Sequence, residues 1–215
     1  MDSDNDNIII IARYVENVSW VLKLLQNTWI NKVLIVNKGP PLDLKHDKIQ
    51  IVNAHNVGRE GETYLSYIIN NYNNLPKHIF FCQGKPFVHS ASFLNFFTKN
   101  NFETYKYKNY NGMTESFKPN TPINYNINNT FHVNDMKKVE YLIDVRSLQV
   151  VGHNMFNDIG VQLFNSYNHN KLWKKMDIKS KYIRFYFSAC FYTIASAIKN
   201  RDLQFYIDLR NFLFT

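Results

Sequence analysis

Apolar residues in this chain come as short unbroken runs that alternate with stretches of helical spacing. Ile8 to Ala12 is such a run, the pattern of a strand covered on both faces. The polar turn Arg13-Tyr14-Val15-Glu16-Asn17 follows, and a helix begins near Ser19 with Val21, Leu22, Leu24 and Leu25 as its buried stripe. Val33 to Val36 reads as a second strand, closed by the strong turn signal Asn37-Lys38-Gly39-Pro40-Pro41. Ile49 to Val52 is a short third strand leading into a turn at Gly58. From about Glu60 to Tyr72, the residues Tyr64, Leu65, Ile68, Ile69 and Tyr72 recur at helical intervals, and Leu75-Pro76 ends the helix. Ile79 to Cys82 is the next buried strand. This alternation predicts an α/β fold, a mixed and mainly parallel sheet flanked by helices with right-handed crossovers.

Beyond Gln83 the pattern loosens. Ser90 or Ser92 is placed to cap a short helix through Leu94, Phe96 and Phe97. Phe102 to Tyr125, rich in Asn, Tyr and Pro, is the poorest segment for regular structure; a loop over a site and a plain connection fit it equally. Met136 to Val145 and Phe156 to Tyr167 read as helices, Tyr182 to Tyr192 as one strand, and a helix starts near Ile194. Asp202 to Leu213 carries a broad apolar stripe of Leu203, Phe205, Tyr206, Leu209, Phe212 and Leu213. With no internal repeat or linker, residues 1–215 are expected to form a single domain.

Composition narrows the function classes. Aromatic residues make up 16% of the 215, so a dense core is within reach, and 20% charged residues argue against disorder. The excess of Asn, Ile, Lys and Tyr is the mark of an AT-rich coding sequence and receives no functional meaning. A net charge of +8 suits nucleic acid, an anionic membrane surface or a phosphate-bearing small molecule. The cations are scattered, however; Lys171, Lys174, Lys175, Lys179 and Lys181 come nearest to a tract, and a solvated basic face explains them better. Cys82 and Cys190 sit in apolar runs and read as reduced core residues, which excludes a disulfide framework or a zinc motif. The polar, acidic start and the absence of a run of spanning length predict a cytoplasmic protein with no membrane span.

The candidate chemistry lies at the strand ends. A parallel sheet brings the turns Arg13 to Asn17, Asn37 to Gly39 and Gln83 to Phe87 together, with the Asn56 to Glu60 helix start beside them. N–H groups at a helix start favour an anion, and Gly58 lets a ligand approach the backbone. Arg13, Arg59 and Lys85 can each neutralise phosphate. Neither a Walker A sequence nor GxGxxG is present, which removes support for nucleoside triphosphate hydrolysis and dinucleotide binding. Every member also has a plain use: Arg59 with Glu60 or Glu62 as surface pairs, the glycines as turns, His78 and His89 as ordinary histidines. No Asp-x-Asp follows Phe80-Phe81; Gln83 and Lys85 stand in that turn instead. Lys85 with Arg59 or Arg13 could then stabilise a diphosphate leaving group without a metal.

Several of these motifs also carry a resemblance. Ile8 to Tyr14 with Ser19-Trp20 and Asn37-Lys38-Gly39, then Asn56 to Glu60 through Thr63-Tyr64-Leu65 and on to Phe81-Gln83-Gly84-Pro86-Phe87-His89, resemble a domain-of-unknown-function family of small proteins. Its members occur in fungi, bacteria and large DNA viruses. Phe187 to Phe191 with Arg201 and Phe205-Tyr206 is similar to the family's C-terminal region, whereas Tyr105 to Lys181 matches weakly. The N-terminal half also resembles the nucleotide-sugar-binding half of GT-A glycosyltransferases. That resemblance implies residues 1–99 as a nucleotide-binding half and 100–215 as an acceptor half. It implies Arg13, Tyr14 and Asn37 near base and ribose, and Gly58, Arg59, Gln83, Gly84 and Lys85 towards the phosphates. The missing acidic motif departs from that pattern.

An inverting sugar transfer requires a carboxylate to deprotonate the acceptor hydroxyl. Glu60, Glu115 and Asp158 qualify by residue type, with Glu60 favoured as part of the matched motif. The expectation is therefore a glycosyltransferase that moves a sugar from a nucleotide-sugar donor to a glycan or protein acceptor. No cofactor is required beyond a divalent metal, Mn or Mg, if one takes part. The alternatives are a catalytically inactive nucleotide- or glycan-binding protein, and a basic nucleic-acid-binding module. The last ranks lower because the aromatics fall on buried-looking faces rather than among clustered cations.

Overall fold

The structure, a computed structural model, describes residues 6–88, 90–113, 140–144, 182–186 and 189–212. Its centre is a six-stranded sheet in the order β3-β2-β1-β4-β8-β5. Four strands run parallel: β1 (Asn7–Arg13), β2 (Lys32–Asn37), β3 (Ile49–Asn53) and β4 (His78–Gln83). β8 (Phe191–Ile194) lies antiparallel to β4, and β5 (Tyr110–Gly112) lies antiparallel to β8. β6 (Glu140–Asp144) and β7 (Tyr182–Tyr186) pair with each other in a separate two-stranded sheet. The class expected from the sequence, mixed α/β with a mainly parallel sheet, is the observed one.

The unbroken isoleucines of β1 explain its central place, because all seven of its residues are buried. Alternate side chains enter opposite layers, as the pleat requires. Ile9 and Ile11 face a cluster containing Val21 and Leu24 of α1 (Trp20–Leu24), Phe80, Phe93, Phe97 and Tyr192. Ile8, Ile10 and Ala12 face Tyr64, Tyr67 and Ile68 of α2 (Arg59–Asn71), with Ile198 of α4 (Ala195–Lys199) and Tyr206 of α5 (Leu203–Phe212). Full burial of one such aliphatic side chain contributes about 1.5–3 kcal/mol, so the two layers hold the strand ends in fixed register.

Several elements differ from the sequence expectation. Phe102 lies in a helix, α3 (Lys99–Tyr105), whose Thr98 side chain accepts from the Asn101 N–H at 3.4 Å. The capped helix proposed at Ser90 or Ser92 is a 3-10 turn over Phe93–Phe97 with no side-chain cap. Residues expected as a helix at Met136 to Val145 include strand β6. The single strand expected over Tyr182 to Tyr192 is two strands in two sheets, β7 and β8. The helix placed at Phe156 to Tyr167 lies outside the described residues.

Candidate functional site

In an open α/β sheet the ligand crevice lies outside the carboxyl ends of the strands, where the strand order reverses. Here β1, β2 and β3 progress to one side and β4 returns to the other side of β1. The reversal therefore falls between Arg13 at the end of β1 and Gln83 at the end of β4. Tyr14, Val15 and Glu16 lie on one side of it, with Gly84 and Lys85 on the other. α2 begins near the neighbouring end of β2, because Lys38 reaches it.

Lys38 is the least expected member of the site. Its ammonium group donates to the carbonyls of Val57 at 2.8 Å and Arg59 at 2.7 Å, and to Glu62 Oε2 at 2.8 Å. The Lys38 side chain is 3% exposed and that of Glu62 is 9% exposed. Glu62 Oε1 accepts from Ser66 Oγ and from Arg210 of α5, the latter at 3.1 Å from Nη2. Burial pushes the Glu62 pKa up, yet the hydrogen bonds from Lys38, Ser66 and Arg210 with the Lys38 charge outweigh it, and the net shift is downward. The surface pairing expected for Glu62 is thus replaced by a buried ion pair that ties β2, α2 and α5 together. The sequence held one signal: Glu62 stands three residues before Leu65 on the apolar face, where a charge must find a partner.

This clamp fixes an unusual turn. Gly58 has φ +58 and Arg59 has φ +47, and Arg59 is the only non-glycine residue with positive φ among the described residues. A Cβ on Gly58 would lie 2.5 Å from the Glu62 Cβ, so only glycine fits. The left-handed Arg59 costs on the order of 1–3 kcal/mol, of the size that surrounding contacts must overcome to keep it. Lys38 supplies such contacts by holding the carbonyls on either side of the turn.

The remaining predicted residues divide into two groups. Arg13 and Asn37 are buried and occupied within the loops: the Arg13 guanidinium donates to Asn37 Oδ1, to the Pro40 carbonyl at 2.8 Å and to the Glu16 carbonyl at 3.0 Å. Asn37 also donates to Asn53 Oδ1 at 3.1 Å. Both residues therefore brace the β1, β2 and β3 ends. Tyr14, by contrast, is 48% exposed, while its backbone closes on Gly39, where a Cβ would meet the Tyr14 carbonyl oxygen at 2.0 Å. Arg59 and Lys85 are exposed, and Glu60 and Gln83 are half-buried. The Gly84 carbonyl accepts from Trp20 Nε1 at 3.0 Å, anchoring the β4 turn to α1. Asp158 and Glu115 lie outside the described residues.

Tyr14, Val15, Val52, Val57 and Val88, all at or just beyond strand carboxyl ends, are among the exposed large apolar residues. They give this end of the sheet an apolar rim around its polar loops, the mixture that small-molecule sites favour. Among the described residues no three His, Cys, Asp or Glu side chains gather to hold a metal ion. No helix among them is long and apolar enough to cross a membrane. A sequence model of the family described as "Protein of unknown function (DUF3431)" matches residues 8–215. No curated protein matches the chain.

Proposed function

We propose that this chain, which belongs to the DUF3431 family of proteins of unknown function, is a glycosyltransferase that takes a nucleotide sugar in the crevice beyond β1 and β4. The observation that carries the reading is the strained Gly58-Arg59 turn, clamped by Lys38 at a helix start beside the strand-order reversal. Backbone strain held by dedicated contacts marks sites more often than surfaces. The order β3-β2-β1-β4, shared with nucleotide-binding doubly wound sheets, supports a nucleotide in the crevice. The GT-A resemblance then supplies the reaction class.

In this reading the diphosphate lies against the N–H groups opening α2, with the Arg59 and Lys85 charges neutralising it. Tyr14 offers an exposed ring to the base. An acceptor hydroxyl attacks the anomeric carbon of the donor sugar and loses its proton to Glu60. The bond from that carbon to the diphosphate breaks, and the diphosphate leaves with the electron pair.

The test is thermal stability of the full chain against nucleotide sugars and free nucleoside diphosphates, with and without manganese. A shift selective for one nucleotide, lost in Arg59→Ala and Lys85→Ala, supports the reading. Transfer activity lost in Glu60→Gln while that shift persists would assign the base. No shift with any nucleotide sinks the transferase proposal.

A further inference from the structure

We infer that the Glu16 carboxylate is a hydroxyl-reading group at the strand-order reversal, recognising a sugar diol of the ligand. The inference rests on the nucleotide-sugar reading and specifies what part of the donor meets the β1 loop.

Three observations converge on Glu16. First, the chain brings it to the strand-order reversal, three residues after β1 and against the turn that ends β4. A Cβ on Gly84 would lie 2.9 Å from Glu16 Oε2 and 3.0 Å from its Cβ, so the absence of a side chain at Gly84 is what lets the carboxylate lie there. Secondly, the carboxylate is oriented by its own loop: Oε2 accepts the Tyr14 backbone N–H at 2.6 Å, and Arg13 Nε holds the Glu16 carbonyl at 3.0 Å. Thirdly, no Lys, Arg or His side chain among the described residues forms an ion pair with it, although two cationic side chains, Arg13 and Lys38, are buried in the adjoining loops.

A half-buried carboxylate without a cationic partner accepts hydrogen bonds and repels anions. It therefore cannot underlie the phosphates, which belong instead at the basic start of α2. The uncharged, donor-rich part of a nucleotide sugar is its hydroxyl groups, and a carboxylate with one oxygen still open to donors suits a vicinal pair of them. Tyr14 and Val15, 48% and 60% exposed, flank the same loop and offer an apolar wall to the ring carrying those hydroxyls. The diol belongs either to the ribose or to the transferred sugar.

The experiment is isothermal binding of UDP, GDP, ADP and CDP, their 2′-deoxy counterparts and UDP-glucose to wild type, Glu16→Ala and Glu16→Gln. Glu16→Gln keeps an acceptor for the Tyr14 N–H, so a folded loop can be separated from a lost charge. If ribose is the source, wild type binds a ribonucleotide about ten- to a hundred-fold more tightly than its deoxy form, and the gap closes in Glu16→Ala. If the transferred sugar is the source, the deoxy form binds equally well and UDP-glucose alone weakens in Glu16→Ala. Equal binding of every probe to wild type and both variants overturns the inference while leaving the nucleotide reading standing. Failure of all nucleotides to bind overturns both.

Discussion

Residue by residue, the loops at the sheet's carboxyl end tolerate little change. Gly58→Ala combines a left-handed backbone with a Cβ 2.5 Å from Glu62, and should destabilise by about 1–3 kcal/mol in urea unfolding. Arg59→Gly is a sharper probe: it removes the strain of φ +47 but adds freedom to the unfolded chain. Stability should stay within about 1 kcal/mol of wild type, whereas nucleoside diphosphate affinity should fall about ten-fold. A loss of stability without loss of binding would make Arg59 a scaffold residue. Lys38→Met takes the ammonium group away from the buried Glu62 carboxylate and from the Val57 and Arg59 carbonyls, and should cost about 3–5 kcal/mol. The Glu62 pKa is lowered on folding, so its contribution is present above its unfolded value of 4.5 and lost as pH falls through the folded value. Wild type should therefore lose stability below about pH 4, and Glu62→Gln should flatten that part of the pH curve.

Between elements, polar side chains inside the layers do much of the joining. Tyr192 of β8 donates from its hydroxyl to the Lys106 carbonyl at 2.6 Å, which leaves it to accept from His78 Nδ1 of β4, also at 2.6 Å. One hydroxyl thus links β4, β8 and the end of α3. Tyr192→Phe should cost about 1–3 kcal/mol, because a buried imidazole N–H and a carbonyl lose their partner. Chemical denaturation with an unchanged m-value would check it. The sequence displayed β1, β2, β4 and α2 well, since each is a clean run or a clean helical stripe. It hid β6 because Glu140 to Asp144 holds too few apolar positions to tell a strand from a helix, and pairing with Tyr182–Tyr186 decides. It hid the break between β7 and β8 because aromatic and β-branched residues occupy both sides. At the site, the glycine turns were legible, whereas the burial of Arg13, Lys38 and Glu62 was not. A charge names its chemistry but not the layer it folds into.

At the scale of the whole molecule, the formal +8 overstates a polyanion-binding surface. Arg13 and Lys38 are interior, and their charges serve loop carbonyls and Glu62. A nucleoside diphosphate should therefore bind with a shallow salt dependence, log affinity falling by about one to two units per log unit of salt. A polynucleotide held by a broad basic face would give a much steeper slope, so titrating both ligands across salt concentrations separates the two partner classes.

The chain leaves the main sheet at Met113 and returns at Cys190, and the Met113 N–H donates to the Cys190 carbonyl at 2.9 Å. The two ends of the intervening stretch are thus held side by side at the edge of the parallel strands. The entropy of closing such a detour grows only with the logarithm of its length. A change in the number of residues between those two ends should therefore cost the sheet little, about 0.6 kcal/mol for each doubling of that length.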